Sequence, residues 1–294
     1  MRVLVAGWFS FDEVIATVGD DLGAEAVAGW LRDLGVDTMV AWAPFLQRGP
    51  HWRDLDPADF THLVFVSGPI SDTPLLRELT GAFAGAQRWA VNVSVVSDAG
   101  RALFHQVWAR DDLAGGAPGA ARPDVAIGTT TPDVPVRAVA FAPPQEEYGD
   151  RSRAVQVRAA IEGWLGVRAI PWFELTMDSY ELPYERFPAQ VEALIRRADA
   201  VVSMRLHALV LGLAHGKPVI ACDAIAGGAK VSAQAGALGW PLVLQGGEID
   251  RYSLDAALEH ALSGTLTGAI AEAQRRGAAA NVQTQEWLGR QLGR

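Results

Sequence analysis

Ala198-Asp199-Ala200-Val201-Val202-Ser203-Met204-Arg205-Leu206-His207 is the stretch on which the reading of this chain turns. It is an apolar run with an Asp near its start, stopped by a Ser suited to capping and followed at once by the helix-like segment Leu206 to His215. Next come Gly216-Lys217-Pro218, the apolar run Val219-Ile220-Ala221-Cys222 and the loop Gly227-Gly228-Ala229-Lys230. Strand, helix and strand in that order predict a parallel βαβ unit. The first turn of a helix exposes unpaired N–H groups and a partial positive charge, and Arg205 adds a planar fork for phosphate or carboxylate. Ser203, Arg205, His207, Gly228 and Lys230 are therefore candidates for an anion site. Taken singly, Arg205 or His207 reads as decoration of a βα turn; their grouping with Lys230 is what points to a site.

Working outward, the same alternation continues in both directions. Strands are expected at Arg2 to Ala6, Thr38 to Trp42, His62 to Val66 and Arg88 to Val96, with a last one at Val125 to Ile127. Helices are expected at Asp20 to Leu34, Thr73 to Phe83 and Arg101 to Trp108. A stretch rich in Gly, Ala and Pro (Ala114 to Arg122) and another rich in Thr and Pro (Thr129 to Pro135) then change the composition, which puts a domain boundary near Thr131 to Pro135. Beyond it, strands are expected at Ala138 to Ala142, Val167 to Trp172, Ala200 to Ser203, Val219 to Cys222 and Leu242 to Leu244. Helices fit Ser152 to Leu165, Pro188 to Arg197, Leu206 to His215, Ala229 to Leu238, Leu254 to Leu262 and Ala269 to Leu292. The fold class is α/β: two Rossmann-like, doubly wound domains, residues 1–132 and 133–294, facing a cleft, with ligands beyond the carboxyl ends of the strands.

Half of the 294 residues are hydrophobic and a fifth are charged, the balance of a folded globular protein. A net charge of −9 with no Lys/Arg run argues against a nucleic-acid partner, whose phosphates need a basic stripe. Cys222 is the one cysteine, so it has no disulfide or thiol partner within the chain and reads as a buried strand residue. The start Met1 to Gly7 is too short for a signal-peptide core, and Arg205, His207, His215 and Lys217 interrupt the longest candidate membrane span. The expected location is cytoplasmic, and homo-oligomerisation is left open. The six histidines lack H-x-x-H spacing, and neither a serine-hydrolase elbow nor a P-loop occurs, so no metal site is expected.

Several further residues carry two readings each. The loop from Trp8 to Gly19 is long for a βα connection, and Asp20 beyond it is either an N-cap or a binder of sugar hydroxyls. Gly68, in Ser67-Gly68-Pro69, either allows a ligand close to the backbone or makes a plain turn. Asn92 faces a ligand or plays a structural part. Arg151 grips an anion from a long loop or sits exposed at a helix start.

The segment from Ser203 onward resembles the polysaccharide pyruvyl transferase family, which carries S-x-R-x-H on such a turn and then A-x-G-x-P-hydrophobic. Here these are Ser203, Arg205 and His207, then Ala214, Gly216, Pro218 and Val219, then Lys230-Val231 and Leu238-Gly239-Trp240-Pro241. Val18-Gly19-Asp20-Asp21 is similar to the family's G-D-E step. The chain departs from the pattern after the first strand of the second half, where Pro143-Pro144-Gln145 stands in place of an Arg. The resemblance implies a two-domain architecture like that of B-type glycosyltransferases, with acceptor on the first domain and donor on the second. It implies transfer of pyruvyl from phosphoenolpyruvate, a co-substrate rather than a resident cofactor, to a sugar-like acceptor. Arg205 and His207 would be catalytic. Lys230, Arg151, Ser203, Gly228, Asp20, Gly68 and Asn92 would bind substrate. A nucleotide-sugar glycosyltransferase and a non-catalytic binder of a phosphorylated metabolite are the competing readings.

Overall fold

The computed structural model describes residues 1–14, 16–115, 121–168, 170–178 and 187–293. The chain divides into two compact units, Met1–Pro132 and Asp133–Arg294. The middle of the Gly/Ala/Pro-rich stretch, residues 116–120, lies outside the described residues.

The first unit runs β1 (Arg2–Ala6), α1 (Val18–Asp33), β2 (Asp37–Val40), β3 (His62–Val66), β4 (Pro69–Ile70), α2 (Pro74–Ala82), β5 (Gln87–Val95), α3 (Asp98–Arg101) and β6 (Gln106–Asp112). The strands are all parallel, in the order β2-β1-β3-β5, with β6 on the outer side of β5. β4 prolongs β3: His62 to Val66 lie opposite Gln87 to Val91, and Pro69 and Ile70 opposite Ser94 and Val95 in the same register. Alternation along β1 shows why the sheet is covered on both faces. Val3 and Val5 pack with Ala24, Val27 and Ala28 of α1, while Leu4 and Ala6 pack with Leu76 and Leu79 of α2. The connections change direction between β1 and β3, which makes that gap the topological switch point.

The second unit runs β7 (Arg137–Ala140), α4 (Ala154–Arg168), β8 (Trp172–Glu174), α5 (Pro188–Arg197), β9 (Ala200–Ser203), α6 (Leu206–Ala214), β10 (Val219–Asp223), α7 (Lys230–Leu238), β11 (Val243–Gln245), α8 (Arg251–Leu262) and α9 (Thr267–Gln291). Its parallel sheet has the order β11-β10-β9-β7-β8. Numbered within the unit, that is the same winding as the first, with the switch point between β7 and β9. One continuous apolar core holds this unit, from Ala138 to Ala273. Each unit is thus a Rossmann-like doubly wound sheet.

Three expected elements came out differently. Arg101 to Trp108 is not a helix: α3 ends at Arg101, and β6 pairs with β5, with an irregularity at Asn92. Trp108 is exposed on this edge strand, with the Arg122 guanidinium 4.1 Å from its ring centre. Val125 to Ile127 is not a strand but part of a 3₁₀ turn, capped by the Asp124 carboxylate on Ala126 N–H. The strand expected at Val167 to Trp172 begins only at Trp172, and its residue 169 lies outside the described residues. α4 runs on to Arg168, whose guanidinium reaches Asp255 on α8.

Candidate functional site

At the end of β9, Ser203 is fully buried, and its hydroxyl is committed to the turn that follows. Oγ accepts from Arg205 N–H at 3.0 Å and donates to Arg205 C=O at 2.7 Å. This local loop places Arg205 at the N-cap of α6 in an extended conformation. Arg205 Nε then donates to the Phe141 carbonyl at 2.6 Å, just past the end of β7. Arg205 therefore spans the β7/β9 switch point, and its Nη groups have no hydrogen-bond partner among the described residues. No acidic side chain sits in the first turn of α6, so the positive end of that helix is uncompensated. His207, in the same turn, is exposed and makes no hydrogen bond among the described residues.

The neighbouring β10–α7 loop is organised by a residue that sequence reasoning missed. Asp223, buried at the end of β10, accepts from Ile225 N–H (3.1 Å), Ala229 N–H (2.7 Å) and Ser232 N–H (2.8 Å). Its carboxylate thus occupies the N-terminus of α7 that an anion would otherwise seek. Nothing local signals this, because the helix it caps starts seven residues later. Gly227 and Gly228 both adopt left-handed conformations (φ +77° and +78°) and let the loop turn. Arg151 bridges the same loop: Nε donates to Ala226 C=O and Nη2 to Gly228 C=O, each at 3.0 Å. Its fork is largely engaged in holding backbone. Lys230 opens α7 with its side chain exposed, and it lines, with Met204 and Asp223, a cavity of about 20 Å³ with room for a single water. Cys222, buried beside this loop, has its thiol pushed up to about 12 by burial.

The first-unit candidates gather at that unit's own switch point. A pocket of about 520 Å³ is lined by Trp8 after β1, Asp20 in α1, Gly68 and Pro69 after β3, Arg110 and Asp124. Asp20 is not the N-cap of α1. It is the third residue of a capping box whose N-cap is Thr17, and its Oδ2 accepts from Thr17 N–H (2.8 Å) and Thr17 Oγ (3.0 Å). Gly68 has φ +70°, and a Cβ there would lie 2.2 Å from Trp8 Cδ1, so its close approach is to that indole. Asn92 is buried in a left-handed conformation and donates to Ser67 Oγ at 3.2 Å, beneath the pocket. Burial would raise the Asp124 carboxyl, but Ala126 N–H, Arg110 and Asn92 together hold it below the ordinary range.

Residues 130–224 match the family model Polysaccharide pyruvyl transferase, a span that contains Arg151, Ser203, Arg205, His207 and Asp223. No curated protein matches the chain in sequence. Among solved structures, the calicheamicin glycosyltransferase CalG4 is similar at 14% identity, TM-score 0.35, over 95% of this chain and 83% of that one. Anabaena Alr3699/HepE, in complex with UDP, is similar at 12% identity, TM-score 0.32, over 98% of this chain and 100% of that one. The spinosyn rhamnosyltransferase SpnG, complexed with thymidine diphosphate, is similar at 11% identity, TM-score 0.34, over 97% and 100%. Likeness so distant says nothing of substrate. The chain thus combines two Rossmann-like sheets with a family match confined to residues 130–224. Its second unit carries the polysaccharide pyruvyl transferase sequence pattern. Among the described residues no helix is long and apolar enough to cross a membrane, and no cluster of His, Cys, Asp or Glu is arranged to hold a metal ion.

Proposed function

We propose that this chain moves the pyruvyl group of phosphoenolpyruvate onto hydroxyls of a sugar or sugar-like acceptor, forming a ketal and releasing phosphate. The observation that carries the reading is the seating of Arg205. Ser203 and the Phe141 carbonyl hold it at an uncompensated helix N-terminus, within a segment that matches the pyruvyl transferase family.

Phosphoenolpyruvate carries a phosphate and a carboxylate, so its site needs fixed cations and N–H donors. Arg205 supplies its free Nη edge, the first turn of α6 supplies unpaired N–H groups, and Lys230 supplies a point charge from the neighbouring strand's loop. Reaction begins with a proton delivered to the vinyl carbon, which leaves the adjacent carbon cationic. An acceptor hydroxyl adds to that carbon and gives up its proton. Phosphate then leaves, and a second hydroxyl of the acceptor closes the ketal ring. His207, whose imidazole lies in the same helical turn as Arg205's cap, is the residue assigned to the first step. The scheme requires neither metal nor resident cofactor.

His207→Gln tests it, because Gln keeps a polar side chain of similar reach but cannot exchange a proton near neutrality. Saturated turnover with phosphoenolpyruvate should fall by roughly two to four orders of magnitude, while donor affinity stays within about tenfold. The pH–rate profile should lose a limb. Near-normal turnover with an unchanged profile would remove His207 from the chemistry.

A second reading, binding of a phosphorylated metabolite without transfer, is favoured by one observation. Arg151 is tied to Ala226 and Gly228, and Pro143-Pro144-Gln145 rather than an Arg comes directly after β7, which leaves Arg205 and Lys230 as the anion-facing cations of this reading. Thermal shift with phosphoenolpyruvate, and separately with nucleotide sugars, discriminates the readings. Stabilisation by nucleotide sugars alone would favour glycosyl transfer instead.

A further inference from the structure

Only Ala273 is buried among the 25 residues of α9, and from Ala278 through Gly293 every residue is exposed except half-buried Gly289. A helical segment resting on nothing is marginal in water, yet this one carries Trp287, Leu288 and Leu292, exposed to 53%, 47% and 70%. Ala269, Ile270 and Ala273 seat the first half of α9 in the core of the second unit. Trp287 and Leu288 stand about five full turns beyond Ala269 and Ile270, hence on the same side of the helix. The stripe that seats the helix thus continues past its seat. Beside that seat a groove of about 650 Å³ runs between α9 and the C-terminal ends of α6 and α7, lined by Val210, Leu213, Leu238, Ala273 and Gly277. Gln274 fixes its wall, donating to the Leu213 and Ala214 carbonyls at 3.0 and 3.2 Å. A Cβ at Gly277 would meet nothing within 4 Å, so the α9 wall is low enough for another helix to come close. Four charges complete the pattern: Glu272, Arg276, Glu286 and Arg290 lie within about 80° of one another around the helix. Along their own helix Arg276 pairs with Glu272 and Arg290 with Glu286.

We propose that this chain forms a two-fold dimer in which the C-terminal half of each α9 lies antiparallel in the groove of the other copy. With the axis near Asn281, Arg276 comes level with Glu286 of the other copy, and Glu272 with Arg290. The same register brings Trp287 and Leu288 level with Ala273 to Gly277, into the groove. Parallel helices in register would instead set like charge on like. Burial of Trp287 and Leu288 drives association, while the charges choose its direction, since exposed ion pairs contribute little by themselves. Ridge and groove share one helix, so the contact closes at two copies. The groove lies at the opposite ends of α6 and α7 from Arg205 and Lys230, and the dimer stands apart from the proposed reaction.

Sedimentation equilibrium of the full chain between about 1 and 100 µM tests this. The mass should approach twice the 31.4 kDa of one chain, with a Kd of about 10 µM or tighter. Two variants should stay monomeric up to about 100 µM: Trp287→Glu combined with Leu288→Glu, which charges the ridge, and Gly277→Trp, which fills the groove. All three positions have open space in the single chain, and circular dichroism confirms that each variant is folded. Arg276→Glu alone and Glu286→Arg alone should each dimerise about fivefold more weakly or worse. An equimolar mixture of these two should regain the wild-type mass, because only the mixed dimer sets Glu against Arg on both sides of the axis. A wild-type chain still monomeric at about 100 µM would mean that something other than a second copy covers the stripe, and would overturn the proposal. A dimer indifferent to both apolar variants, or a mixture no heavier than its two components, would overturn it as well.

Discussion

Arg205 shows how much a single side chain's chemistry depends on what holds it. Its Nε is fixed by the Phe141 carbonyl and its backbone by Ser203, so the guanidinium is oriented before any ligand arrives. Lysine keeps the charge but has neither the Nε contact nor a planar fork. Arg205→Lys should therefore weaken phosphoenolpyruvate binding by about tenfold or more, with Tm changed by no more than a few degrees. Isothermal titration beside a thermal melt checks both halves, and unaltered donor use would mean that Arg205 grips no anion. Ser203 belongs to the same unit in a different capacity. Buried, with its hydroxyl engaged twice by Arg205 backbone, it shapes the turn and has no evident reach to a ligand.

Among the elements, the β10–α7 loop is organised by one buried carboxylate, Asp223. Asp223 caps α7 from within the core, and removing it leaves Ala229 and Ser232 N–H groups without their acceptor. Asp223→Ala should cost about 2 kcal/mol in urea unfolding and weaken donor binding, because Lys230 is carried by the helix that Asp223 starts. Asp223→Asn, with one oxygen left for three donors, should fall between. A loss confined to stability would detach this loop from the donor site. In the first unit Gly68 bears a comparable constraint: its positive φ and the Trp8 ring above it both exclude a side chain.

Over the whole molecule, folded-state charge pairing makes acid the vulnerable direction. In the first unit the Arg101 hydrogen bond holds the Asp112 carboxyl below its ordinary range, and Asp124 is held low as well. In the second, Arg168 does the same for Asp255, the Ser253 N–H for Asp250, and Arg276 for Glu272. A carboxyl depressed on folding contributes stability that is complete above its unfolded-state pKa and is lost as pH falls through the folded value. Asp21, raised chiefly by burial, works in the opposite sense and gains from protonation. The depressed groups outnumber it, so Tm should be nearly level between pH 7 and about 5 and should fall below about pH 4. A Tm that rose on acidification to about pH 3 would contradict this balance.

The amino-acid sequence by itself determined the periodic, local features. Apolar runs alternating with amphipathic stretches specified α/β winding, and the strand boundaries at Arg2–Ala6, His62–Val66 and Ala200–Ser203 need no partner to be read. The Ser203-Met204-Arg205-Leu206-His207 turn was legible for the same reason: its cap, cation and imidazole lie within five residues. Tertiary structure alone decided whatever depends on a partner far along the chain. β6 is a strand because β5 offers it an edge, and α4 reaches Arg168 because Asp255 waits on α8. Arg151 turned to backbone carbonyls 75 and 77 residues away, and Arg205 to one 64 residues away. The switch-point pocket joins residues following β1 and β3 with Arg110 and Asp124, a pair whose proximity leaves no mark on local composition. Periodicity records which face a residue turns to the core; only the closed sheet brings distant ends together.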